Sequence, residues 1–208
     1  MRSAWLARIY EGWWRPITFA LATGFRMPSV EEEAALVLHK LEATRGPWLD
    51  LSCGPGNITW RLVAQAAGRQ VVALDSSPAM LERVRINAPL STCVLADATE
   101  IPFPDGTFGA VVNLAALDLY SNAAAAVMES ARVLGPGGRW IASSFVRSRA
   151  ASSRPVWERF AGVRTPTEHE IASYVARAGL VRMRCVHFGS YLVAWADKRR
   201  DSEQDEPR

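Results

Sequence analysis

The sequence predicts an α/β fold, a mostly parallel sheet wrapped by helices on both faces, and three observations carry that prediction. From Trp48 onward, short apolar strand-like runs alternate with longer helix-like ones. The first strand, in WLDLSCGPGNITWRL at 48–62, ends in a turn with two glycines that opens directly into a helical pattern. The last two strand-like runs are separated only by a turn at Gly189. Strand and helix in alternation are the pattern of βα units and a parallel sheet. A connection as short as the one at Gly189 has no room for a crossover helix, so the closing pair reads as an antiparallel hairpin.

Taken in order, the chain begins with WLARIYEGWWRPITFAL at 5–21, where Trp5, Ile9 and Trp13 share one helical stripe and Leu6, Tyr10, Trp14, Ile17 and Leu21 the next. Pro16 should break or kink that helix. Ser29 followed by Glu32 fits a capping box and starts a second helix. Strands are then expected at PWLDL, QVVALD, STCVLA, FGAVVNL, RWIASSF and on either side of Gly189. Helices are expected at NITWRLVAQAA, SPAMLERVRIN, NAAAAVMESARVL and EHEIASYVARA, the last behind a second capping box, Thr167 with Glu170. GPGG at 135–138 reads as a sharp turn into RWIASSF. Residues 147 to 164 lack periodicity and read as a long loop, and the polar tail from Asp201 as disordered. The chain thus divides into N-terminal helices at 1–45, a domain at 46–197 and a charged tail at 198–208.

Composition narrows the class. With 208 residues, 49% of them hydrophobic and 22% charged, the chain can bury one substantial core. A net charge of +3, with basic residues dispersed apart from Lys198, Arg199 and Arg200, provides no nucleic-acid stripe. No apolar run approaches the ~20 residues of a membrane span, and no signal-peptide pattern opens the chain, so a cytoplasmic protein is expected. Cys53, Cys93 and Cys185 lack CxxC spacing, which predicts small buried residues rather than a disulfide framework or a metal site.

The glycine turn carries the chemistry. Gly54 and Gly56 let a ligand approach the backbone with no Cβ in the way, beside the start of a helix. A tight connection would also use them, and the third glycine of a dinucleotide fingerprint is missing, as is a Walker lysine. The acids nearby decide between these readings. Asp50 ends the first strand, Asp75 the second, and Asp97 follows the third. In a doubly wound sheet those ends lie side by side at the ligand-binding rim. Asp75 suits a ribose diol, although it could instead cap the next helix, and Asp97 with Ala98 suits an adenine amino group.

DLSCGPGNITWRL, ALDSSPAML, ADATEIPFPDGTFGAVV and ESARVLGPGGRW, in that order, resemble the successive motifs of class I S-adenosylmethionine-dependent methyltransferases, and more narrowly the ubiquinone/menaquinone-biosynthesis group. The resemblance runs from about Tyr10 to Trp195. It implies a Rossmann-like three-layer αβα fold, with a seven-stranded sheet of order 3-2-1-4-5-7-6 and an antiparallel strand 7. It also implies S-adenosyl-L-methionine as cofactor. Asp50, Gly54 and Gly56 would flank its methionine part, Asp75 its ribose, and Asp97 with Ala98 its adenine, with Ser52, Ser76 and Asn113 completing the cofactor-binding set. Ser52 stands where the family's first loop glycine is usual, which should alter detail rather than abolish binding.

The acceptor side is less legible. In related enzymes N-terminal helices cover the site, and here Tyr10 and Trp14 are the best contacts for a small apolar or aromatic acceptor. Where many relatives carry a His pair after strand 4, this chain has NLAALDLYSN, which leaves Asp118 and Tyr120 as polar candidates. His187 lies near the last hairpin and His169 on a first helical turn. No catalytic base is assigned and no metal expected, and the assembly is expected to be a monomer or homodimer. Two rivals stay open: a protein of this fold that binds the cofactor without methylating, and a nicotinamide-dependent oxidoreductase, disfavoured by the missing glycine.

Overall fold

In the computed structural model, residues 28–147 and 164–200 are described. The aromatic stripe with Tyr10 and Trp14, the interior of the expected loop after Arg147 and the tail from Asp201 lie outside them.

Helix α1 (Val30–Leu41) begins at the expected capping box, with Glu32 N–H donating to Ser29 Oγ at 3.1 Å and Ser29 N–H donating to Glu32 Oε2 at 2.7 Å. Acids fill its first turn and His39 and Lys40 its last, as the helix dipole favours. Its buried residues Ala34, Val37 and Leu41 form one helical face. There follow β1 (Trp48–Leu51), α2 (Thr59–Gln65), β2 (Val71–Asp75), α3 (Pro78–Asn87), β3 (Thr92–Leu95), β4 (Phe108–Asn113), α4 (Ala123–Val133), β5 (Leu134–Phe145), α5 (Glu168–Arg177), β6 (Leu180–Phe188) and β7 (Tyr191–Lys198). The second capping box also forms at the start of α5, between Thr167 and Glu170.

The seven strands make one sheet in the order β3-β2-β1-β4-β5-β7-β6. Strands β1 to β5 pair in parallel, and β7 is antiparallel to both neighbours. Alternation along the strands divides the core into two faces. Trp48, Ala110, Val112, Ile141 and Val193 pack with α1 and α2, and Ala73 packs with α3. Leu49, Leu51, Val111, Trp140 and Ala194 pack with α4 and α5 on the other face. Trp48 and Trp140 are buried on opposite faces, and burying each side chain contributes about 3 kcal/mol. The indole N–H of Trp48 is satisfied inside, donating to Thr44 Oγ1 at 2.9 Å.

The segment GPGG differs from expectation. Pairing steps from Phe108↔Leu134 directly to Ala110↔Arg139, so residues 135–138 bulge out within β5 rather than preceding it. Gly137 takes φ +74° in that bulge. Leu134 is buried opposite Phe108, and this apolar pair anchors the strand before the bulge.

Among the described residues no helix is long and apolar enough to cross a membrane.

Candidate active site at the carboxyl rim of the sheet

Sheet order reverses between β1 and β4, and their following connections leave toward opposite faces, which opens a crevice at this rim. The loop after β1 is built on three left-handed residues, Ser52 at φ 55°, Gly54 at φ 55° and Gly56 at φ 88°. The two glycines have different reasons to be there. A Cβ on Gly54 would meet nothing within 4 Å, whereas one on Gly56 would sit 3.3 Å from Val84 Cγ2 on α3. Gly54 therefore leaves room for a ligand, and Gly56 lets the loop pack onto α3. The helix behind the loop, α2, is short and lacks a side-chain cap, so loop space and nearby acids define the site more than a long helix dipole does.

Asp75 joins two parts of the rim. Its Oδ2 accepts from Gly54 N–H and its Oδ1 from Ser77 N–H, both at 2.9 Å. The helix cap that the sequence allowed for Asp75 does not form: the N-cap of α3 is Ser77, no side chain caps it, and Asp75 bonds the N–H of Ser77 itself, ahead of the helix. Asp50 is 1% exposed and its Oδ2 accepts from Thr59 Oγ1 at 2.5 Å. Burial pushes its pKa up to about 7 against the help of Thr59, with the charge of Asp75 adding to the rise. A buried acid poised near neutrality beside an open crevice is suited to a cationic ligand group. Ser76 is exposed after β2. Asp97 is exposed, and the hydroxyl and N–H of Thr99 both donate to its Oδ1 at 2.7 Å, holding its pKa below the usual range. Ala98 beside it is buried.

Asn113 at the end of β4 acts as a strut. Its Nδ2 donates to the Leu51 carbonyl at 2.8 Å and to Tyr120 Oη at 2.7 Å, and Tyr120 Oη lies 2.6 Å from Ser52 Oγ. Ser52 at the glycine's usual place thus gains a partner from the β4 loop. Burial raises the Tyr120 phenol above its ordinary value, which makes it a proton donor rather than a base. Asp118 is buried, and Ser144 Oγ donates to its Oδ1 at 3.3 Å.

The structure does not bring His187 to this crevice. It lies on β6, four strands from β1, or about 19 Å at ordinary strand spacing. There its Nε2 is 2.9 Å from Glu168 Oε2. Sequence reasoning missed the hydrogen-bonded chain under the β4 loop, in which Ala115 N–H donates to Ser143 Oγ, Ser143 lies 2.6 Å from Tyr191 Oη, and Tyr191 donates to Glu33 Oε1 at 2.7 Å. Nothing local in residues 33, 143 and 191 signals that contact. The bond from Thr59 to Asp50 was closer to being readable, because both residues flank the glycine turn.

Comparison with known proteins agrees with the geometry. Residues 49–142 match the family model described as a methyltransferase domain. Malonyl-[acyl-carrier protein] O-methyltransferase of Halorhodospira halophila is 31% identical over 160 residues, covering 72% of this chain and 54% of that protein. Demethylmenaquinone methyltransferase of Thermus thermophilus is 37% identical over 101 residues, covering 47% of this chain and 46% of that protein. The chain thus spans about half the length of these curated relatives. Among solved structures, the [4+2]-cyclase SpnF superimposes with a TM-score of 0.68 at 20% identity, over 81% of this chain and 80% of that one, a likeness of fold. With its sheet order and its motif-bearing loops, the chain belongs through residues 49–142 to the class I S-adenosylmethionine-dependent methyltransferases.

Proposed function

We propose that the protein transfers a methyl group from S-adenosylmethionine to the oxygen or carbon of a small apolar or aromatic acceptor. The observation that carries this reading is the open space at Gly54, bracketed by Asp50 and Asp75 at the point where the sheet order reverses. Each oxygen of Asp75 already holds one N–H, and a carboxylate has about four acceptor positions, so two remain for a ribose diol. Asp50, Ser52, Gly54 and Gly56 take the methionine end, Ser76 joins Asp75, Asp97 and Ala98 take the adenine, and Asn113 supports the loop from behind. The relative named for demethylmenaquinone favours a low-polarity aromatic acceptor, and the relative named as a malonyl-[acyl-carrier protein] O-methyltransferase keeps oxygen among the attacking atoms.

When bound, the cofactor supplies an electrophilic methyl on a sulfonium. The charge on sulfur is lost during transfer, so the chain's tasks are alignment and exclusion of water. Asp50 and the Ser52–Tyr120–Asn113 network hold the methionine end from two sides. Residues 5–25, with Tyr10 and Trp14, are assigned to a cover over the methyl and the acceptor.

Calorimetry with S-adenosylhomocysteine and with NAD, followed by mass spectrometry of reactions with phenols, quinols and carboxylic acids, tests the proposal. Binding of the homocysteine product but not NAD, with a methylated acceptor, is the expected result. Failure to bind S-adenosylhomocysteine would overturn it. Binding without any methylated product would favour a second reading, cofactor binding in service of another reaction. That reading draws on the engagement of Asp118 and Tyr120 in internal hydrogen bonds and on the likeness of fold to a cyclase.

A further inference from the structure

At the far edge of the same rim, Glu168, Cys185 and His187 converge from α5 and β6. Each is aimed there for a structural reason. Cys185 and His187 are two apart on an edge strand and so share a face. Cys185 packs against the core shared with α5, which identifies that face as the one beneath the helix. Glu168 is the first residue of α5, and because Glu170 takes the capping-box role, Glu168 is left to reach across to the strand. CxxC spacing, the usual sequence sign of a metal site, is absent here. The cluster is instead a Cys-x-His pair on a strand and a carboxylate brought by the fold.

We propose that Glu168, Cys185 and His187 form a binding site for one divalent transition-metal ion of the zinc class. Taking one oxygen from Glu168, their ligand atoms all lie within 4.8 Å of one another. Glu168 Oε2 lies 2.9 Å from His187 Nε2, Glu168 Oε1 3.5 Å from Cys185 Sγ, and Cys185 Sγ 4.0 Å from His187 Nε2. Zinc bonds of about 2.0 to 2.3 Å at tetrahedral angles would place each pair of ligand atoms about 3.3 to 3.6 Å apart, so side-chain shifts of up to about 1.5 Å bring a single Glu168 oxygen, Sγ and Nε2 to one face. The donor set, one thiolate, one imidazole and one carboxylate, favours zinc, cobalt or copper over magnesium or calcium. A thiolate and a carboxylate together neutralise a dication, with Cys185 releasing its proton to solvent on binding.

Access does not require unfolding, since the side chains of His187 and Glu168 are 43% and 52% exposed. Both residues also line a cavity of about 540 Å³ together with Arg147, His169 and Ser190. Three protein ligands leave a fourth position for water or for a group entering from that cavity, the arrangement of reactive rather than purely structural zinc sites. The site is separate from the glycine loop, and the proposal does not rest on the methyltransfer reading.

Titration of the untagged full chain with cobalt(II), followed by absorption spectroscopy and competition with zinc(II), tests it. One equivalent of cobalt should bind with a thiolate-to-cobalt charge-transfer band that zinc abolishes. The band should vanish in Cys185→Ser, and affinity should fall tenfold or more in His187→Ala and in Glu168→Gln. Circular dichroism and S-adenosylhomocysteine calorimetry on each variant confirm that the fold persists. No charge-transfer band in the wild type, or a band that survives in Cys185→Ser, would overturn the site. Unchanged affinity in both His187→Ala and Glu168→Gln would do the same.

Discussion

The two halves of the sheet's carboxyl rim make polar groups available in opposite ways. On the β1–β2–β4 side, Asp50, Asp75 and Asn113 are buried and held by the loops around them, with Gly54 left open between. On the β5–β7–β6 side, Glu168 and His187 stand exposed at the sheet's edge and bond to each other. A buried, prebound acid is expensive to charge and is oriented before any ligand arrives. An exposed pair is inexpensive to form and is worth about 0 to 1 kcal/mol on its own, so a ligand can readily replace it. The first half is built for a ligand that must be aligned, the second for one that can exchange with solvent.

Substituting Gly54 should separate the halves most sharply. In Gly54→Val the added side chain occupies the open space, and S-adenosylhomocysteine affinity in calorimetry should fall more than a hundredfold. Folding should suffer only about 1 to 2 kcal/mol, from a side chain held at φ 55°. If this variant binds normally, Gly54 does not face the ligand.

Asp50 gives the next largest effect, on stability. Its folded pKa, about 7, lies above the ordinary 3.8, so the fold favours the protonated form. The stability this group contributes is complete below about pH 3.8, is lost as pH rises toward 7, and stays lost above it. Asp50→Asn should therefore be more stable than wild type at pH 8 by about 4 kcal/mol, with an advantage that shrinks toward pH 4. Urea unfolding across that range reads it. An advantage independent of pH would mean that Asp50 is charged throughout. Asp75→Ala should weaken S-adenosylhomocysteine binding by about 2 kcal/mol, because charged acceptors of this kind are worth about 1.5 to 3 kcal/mol each. Calorimetry showing unchanged affinity would leave Asp75 a purely internal tie between Gly54 and Ser77.

The smallest effect is expected on the other half. Thr167→Ala removes the cap of α5 and should cost about 1 kcal/mol in thermal or urea unfolding. S-adenosylhomocysteine affinity should not change. A loss of affinity there would show that the two halves are energetically coupled.

What the sequence determined by itself was local. The capping boxes at Ser29 and Thr167, the strands, the hairpin at Gly189 and the acids at successive strand ends are all written in spacing and period, because caps and turns involve residues within a few positions of one another. The family's motifs were legible for the same reason, since each lies on one strand and the turn after it. Tertiary structure decided what depends on register and packing. It put GPGG inside β5, because Leu134 pairs with Phe108 before the turn begins. It gave Ser52 a hydroxyl partner from Tyr120, 68 positions away, and Glu33 one from Tyr191, 158 positions away. It set His187 beside Glu168 at the sheet's edge rather than over the glycine loop. Such contacts are fixed by strand order and by which face each residue turns to the core, and neither is encoded in any short stretch of chain.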